Sequence, residues 1–169
     1  MPAQGDASQV ALDLRFVNGD GMGIQIKVDP QTGTMTVGGL LFEPLQAKSE
    51  IEQQIAQLIT GTQDHGNGYE WLYLGGLTFG GQSATLSLCF HLGRLEQAGW
   101  SVNLPDAQTE GGWPTREAID QEITFVRDTL LQDGFAINDG RLEFGWGEMW
   151  CGFDAKGFLA SSGLRYSAS

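Results

Sequence analysis

Basic residues are scarce in this chain: 9 Lys and Arg stand against 21 Asp and Glu, for a formal net charge of −12. So acidic a surface repels a phosphate backbone and an anionic bilayer, which argues against direct binding to nucleic acid or to a membrane. Long apolar runs are missing as well, and nothing approaches the ~20 residues a membrane-crossing helix needs. The first residues, Met1-Pro2-Ala3-Gln4-Gly5-Asp6, lack the basic and apolar regions of a secretory leader, so the expectation is a cytoplasmic protein. Two cysteines, Cys89 and Cys151, are too few for a disulfide scaffold. With His65 and His91 they give no close ligand pair beyond Cys89-x-His91, which excludes a structural zinc site, and no cofactor is expected. A Gly-Lys-Ser/Thr phosphate loop and a Gly-x-Ser-x-Gly elbow are both absent from the sequence. The run Gly19-Asp20-Gly21-Met22-Gly23 leads into a strand rather than a helix, so it reads as a turn and not as a phosphate cradle.

Glycine, by contrast, is abundant, with 25 residues, and it recurs in a pattern. Gly33/Met35/Gly39/Leu40, Gly93/Leu95/Gly99/Trp100 and Gly157/Leu159/Gly163/Leu164 each place a glycine, an apolar residue at plus two, a glycine at plus six and an apolar residue at plus seven. Alternating strands precede them: Ile24/Ile26/Val28, Leu86/Leu88/Phe90 and Met149/Cys151/Phe153. Further upstream Leu-x-Phe recurs as Leu14/Phe16, Leu77/Phe79 and Leu142/Phe144. Self-similarity at this spacing signals one supersecondary unit used three times.

Between the strand units lie two stretches of helical period. Ile51, Ile55, Leu58 and Ile59 share one face, with Ser49-x-x-Glu52 as a capping box, and Ile119, Ile123 and Val126 repeat that order behind a Thr115 N-cap and ahead of a Gly134 C-cap. The reading is a single α+β domain over 1–169, laid out βββ-α-βββ-α-βββ. Three-stranded antiparallel meanders span 10–42, 70–102 and 141–166, and helices at 44–60 and 115–133 pack on one face of the sheet.

Alternation also sorts the faces. If the apolar triplets point inward, Gln25, Ser87 and Trp150 take the equivalent outward position, and on the following strand Thr34, Arg94 and Phe158 do. Only the third unit is aromatic at both. Trp150 and Phe158, beside Glu143, Glu148 and Asp154, have the make-up of a protein-binding patch, unless a helix or the loop carrying Trp113 covers Trp150. The acidic excess leans the same way, since residues 96–154 contain 12 acidic and 3 basic side chains. A solvated surface or a basic partner each accounts for that excess. Cys89 and His91 face one way on their strand, the minimum for thiolate chemistry, but the spacing ensures neither a hydrogen bond between them nor an oxyanion pocket. Cys151 points to the opposite face, which argues against a bridge to Cys89.

The run Leu-Glu-Phe-Gly-Trp-Gly-Glu-Met-Trp-Cys-Gly-Phe-Asp at 142–154, followed by the strand unit up to Tyr166, in a small acidic chain, resembles the bacterial immunity proteins that neutralise polymorphic or type VI toxins. That resemblance implies a stoichiometric, non-enzymatic inhibitor whose partner is a toxin domain with a basic surface. Other classes give different expectations: an acidic nucleic-acid mimic of the phage anti-defence type, a small hydrolase using Cys89 and His91 or carboxylates in the loop 103–113, or a structural subunit.

Overall fold

The computed structural model describes residues 23–137 and 140–167. The strand expected at 11–17 lies outside them. In chain order the elements are β1 (Ile24–Val28), β2 (Met35–Val37), β3 (Leu40–Phe42), α1 (Lys48–Ile55), a 3₁₀ turn (Ala56–Leu58), β4 (Ile59–Asp64), β5 (Tyr69–Phe79), β6 (Gln82–His91), β7 (Arg94–Val102), β8 (Thr109–Glu110), β9 (Trp113–Pro114), α2 (Arg116–Gln132), β10 (Gly140–Phe144), β11 (Gly147–Asp154) and β12 (Leu159–Tyr166). This is the α+β class. The main sheet runs β10-β11-β12-β7-β6-β5-β1-β2-β3, with β4 added on β5. Its pairs are antiparallel except β1 with β5.

The second and third glycine units are related across the middle of this sheet. β7 and β12 are neighbours, and Gly99 pairs with Gly163. Residues that hold the same place in the two sequence patterns thus meet where the β5-β6-β7 and β10-β11-β12 meanders join. Register supports the relation: Ser87 lies opposite Gly99 as Trp150 lies opposite Gly163, and Leu88 opposite Ala98 as Cys151 opposite Ser162. The Leu-x-Phe match does not hold in space, because Leu142 pairs with Met149 as Leu74, not Leu77, pairs with Leu86. Leu86 stands further from its turn than Met149 does, because the arms of the β5–β6 hairpin are longer, and a bulge between Leu74 and Leu77 adds one more residue to β5; with Gly76 at φ 73° it keeps Leu72, Leu74, Leu77 and Phe79 on the buried face.

The first unit departs from the other two. Its expected strand at 34–42 is split by Gly38-Gly39, with Gly38 at φ 64°, into the hairpin β2–β3. A two-residue loop opening with a left-handed glycine matches strand twist and closes a hairpin tightly.

The first helix is shorter than its periodicity suggests. It stops at Ile55, and β-branched Ile59, Thr60 and Thr62 continue as β4, paired from Ile59↔Leu74 to Asp64↔Glu70. Ser49 does not cap it. The N-cap is Ala47, and the free Lys48 N–H instead donates to Gly93 O at 2.8 Å in the β6–β7 turn. The second helix follows its signals: Thr115 Oγ1 accepts from Ala118 N at 3.1 Å, and Gly134 follows the C-cap at φ 102°.

Ile51 and Ile55 of α1 and Ile119, Ile123, Val126 and Leu130 of α2 join the strand residues in one apolar cluster. α2 lies on β11 and β12. Two hydrogen bonds bring distant parts of the strand order together: Trp146 Nε1 donates to Pro30 O at 2.9 Å, and the buried Tyr166 hydroxyl donates to Gly33 O at 2.6 Å. The sheet therefore curls around its core, with the β1–β2 turn meeting the β10–β11 turn.

Candidate functional site

Among the described residues the helices lie on one side of the sheet, and strand register fixes which residues occupy the other. One row crosses five pairings in succession, Trp71↔Cys89↔Gln97↔Arg165↔Glu148↔Glu143. The next row reads Tyr73↔Ser87↔Gly99↔Gly163↔Trp150↔Arg141. Two hollows lie along this face. One, of about 530 Å³, is lined by Trp150, Arg141, Glu148, Phe153, Asp154 and Ser161 among others; the second, of about 670 Å³, by His65, Tyr69, Trp71, Cys89 and Glu96 among others. Gln97 and Arg165 line both. Gln97 Oε1 accepts from Arg165 Nε at 3.3 Å and Nη2 at 3.0 Å, so the guanidinium is held flat between the hollows.

Trp150 lies on this face, as alternation predicts, and is half-buried. Its indole N–H donates to Ser161 Oγ at 3.0 Å, and a Cβ added to Gly163 would stand 2.8 Å from its Cζ2. The ring rests on a glycine floor, pinned at its polar end. Glu148 accepts from Arg141 Nη1 at 2.8 Å, whereas Glu143 is exposed on the edge strand β10. Phe158 is not on a strand. It occupies the β11–β12 turn at φ 51°, is 43% exposed, and meets Phe153 edge-on at 5.5 Å. The Arg116 guanidinium of α2 covers the Phe153 ring at 3.8 Å, so Phe158 belongs to the end of the sheet beside α2, separate from the Trp150 face. Asp154 Oδ1 accepts from Lys156 N at 3.1 Å and shapes the same turn.

Cys89 faces the second hollow but is buried, and burial, followed by the charge of Glu96, pushes its thiol up to about 11. A thiol so shifted is protonated near neutrality, the reverse of an activated nucleophile. His91 stacks on Tyr69 at 4.3 Å and lies 3.6 Å from Glu96 Oε2. Glu96 reaches that position through a second bulge, where Phe90 pairs with Leu95 while Cys89 pairs with Gln97. Cys151 lies under α2, its Sγ 3.7 Å from Ile123 O, and both thiols are free. Among the described residues no three His, Cys, Asp or Glu side chains converge as a metal site requires, and no helix is long and apolar enough to cross a membrane.

Sequence reasoning placed Trp150 and passed over Arg165, Gln97 and Trp71, which share its face. Their alternation was readable; the adjacency of β7 and β12 was not. No family model and no curated protein matches this sequence. Among solved structures, the chain is similar to one described as "Rhs1-CT in complex with cognate immunity protein RhsI1", at 9% identity and TM-score 0.48, over 85% of this chain and 88% of that one.

Proposed function

We propose that this chain is an immunity-type inhibitor: a cytoplasmic binding protein that docks on a toxin domain with a basic surface and covers its active site. The observation that carries the reading is the face of the third meander opposite α2, where a preformed aromatic anchor borders a hollow that no helix covers among the described residues. Trp150 is the anchor on that face, with Glu143 and Glu148 beside it, and Phe158 with Asp154 adds an anchor at the β11–β12 turn. Because Ser161 and Gly163 already fix the Trp150 ring, little rotamer freedom is left to lose when a partner covers it. A toxin's active site is neutralised by such a contact through exclusion of substrate, with no chemistry required of the inhibitor.

Co-expression with toxin domains cloned from the native host tests the reading. The chain should restore growth, and Trp150→Ala should weaken protection by raising the dissociation rate, an anchor's loss costing at least about 2 kcal/mol of binding. Glu148→Lys should slow association, most at low salt. Equal killing with and without the chain would reject the reading.

A further inference from the structure

The segment between β7 and α2 contributes almost nothing to the core. Residues 103–114 carry Asp106 and Glu110 and no Lys, Arg or His, and every position from 105 to 113 is exposed. The segment is nonetheless ordered. Glu110 pairs with Trp113 and Thr109 with Pro114, and Gly111 and Gly112 turn the chain at φ 60° and 85°. Two successive left-handed residues make the twist-matched hairpin turn that glycine permits without strain. At its base Thr115 N donates to Gln108 O at 3.1 Å and Asn103 N to Ser83 O at 2.8 Å. The result is a stiff hairpin bearing a tryptophan that is 64% exposed. Folding does not account for an indole in that position, since burying a side chain of this size is among the largest apolar gains available to a chain.

Its surroundings extend the patch. Arg116, three residues after Trp113, lies over Phe153, and Phe153 meets Phe158. Extending the Gly163↔Gly99 register by four residues sets Leu159 level with Asn103, where the hairpin begins. Leu159 is 44% exposed. Trp113, Phe158 and Leu159, three of the six large apolar side chains that are exposed among the described residues, are thus gathered at one end of the sheet. The acids around them, Asp106, Glu110, Glu117 and Asp154, are exposed and outnumber the basic Lys156 of the β11–β12 turn and Arg116, which is engaged by Asp120 at 3.0 Å. An apolar centre in an acidic surround matches a basic protein surface with a slot for an indole.

We infer that the β8–β9 hairpin, with the β11–β12 turn beside it, is a docking element for the basic face of the toxin domain, with Trp113 as the inserted side chain; this rests on the inhibitor reading above. It assigns Phe158 to this end and makes the Trp150 face a separate contact.

The test uses the purified chain with the toxin domain of the co-expression experiment. Hydroxyl-radical footprinting of the parent should show Trp113 oxidised readily when free and protected in the complex. Trp113→Ala should raise Kd by about 30-fold or more with an unchanged melting temperature, and Glu110→Lys should slow association at low salt. If Trp113 is oxidised equally in both states, or Trp113→Ala binds like the parent while the parent still neutralises the toxin, the hairpin assignment falls and the inhibitor reading stands. A parent chain that neither binds nor neutralises overturns both.

Discussion

Gly99 and Gly163 face each other across the β7–β12 pair, yet a methyl group would meet very different surroundings at the two positions. A Cβ on Gly163 falls inside contact distance of Ala98 O, at 2.8 Å from Trp150 Cζ2 and at 3.1 Å from Gly99 Cα. Two of these neighbours are backbone atoms of the adjacent strand and cannot rotate aside, so the strands must part where the two meanders join. A Cβ on Gly99 meets only Ser162 O at 3.5 Å, an ordinary contact. Overpacking costs about 1–3 kcal/mol, and an immobile neighbour puts Gly163→Ala at the upper end. At about 2–4 °C per kcal/mol for a chain of this size, its melting temperature should fall by roughly 6–12 °C. Gly99→Ala should hold or rise slightly, because alanine removes about 0.4–1 kcal/mol of unfolded-chain entropy where the site has room. Adding Trp150→Ala to Gly163→Ala should recover part of the loss, since the indole contact goes and the backbone contacts stay. Calorimetric melts at neutral pH measure all three variants. A Gly163→Ala chain that melts like the parent, or a Gly99→Ala chain that falls as far, would refute the register at this seam.

Other consequences are open to measurement. Ile55 and Ile123, both buried in the core cluster, should each cost on the order of 2–5 kcal/mol when replaced by alanine, read from urea titrations, and a surface-sized loss would remove the assigned helix faces. Glu122 accepts from Val102 N at 3.0 Å, but burial raises its carboxyl above the usual range. A folded pKa above the unfolded one means stability is lost as pH rises from about 4.5 through the raised folded value, so Glu122→Gln should match the parent at pH 3 and melt higher at pH 7; a variant that melts lower only at pH 7 contradicts this. Cys89, with its thiol near 11, should resist alkylation at neutral pH in the native state, and the Cys89→Ser/Cys151→Ser chain should match the parent in the co-expression test.

What the sequence made legible was local. The spacing of Ile119, Ile123 and Val126 behind Thr115 defines α2, because helix period and capping act within one turn of chain. The glycine pattern located the β6–β7 and β11–β12 hairpins, but the same spacing at Gly33 meant something else, since Gly38-Gly39 makes a turn where Gly99 and Gly163 lie within strands. Ile59 fits the apolar stripe of α1 and is nevertheless a strand residue, its place decided by pairing with Leu74, which no local signal reports. Trp150 could be placed outward by alternation alone. The Arg165–Gln97 contact depends on two strands 68 positions apart becoming neighbours, and Trp113 sits on a hairpin whose strands of two residues are too short to show any alternation.

The central claim is stoichiometric inhibition by binding, and an activity titration tests it most directly. Increasing amounts of the purified chain are added to a fixed amount of the toxin domain of the co-expression experiment, well above the dissociation constant, and residual toxin activity is followed. The account predicts a linear fall to zero at one equivalent, with activity regained when the complex is denatured and the toxin refolded alone. Activity untouched at excess chain, or lost progressively with time at far less than one equivalent, would contradict it, the second result marking the chain as a catalyst.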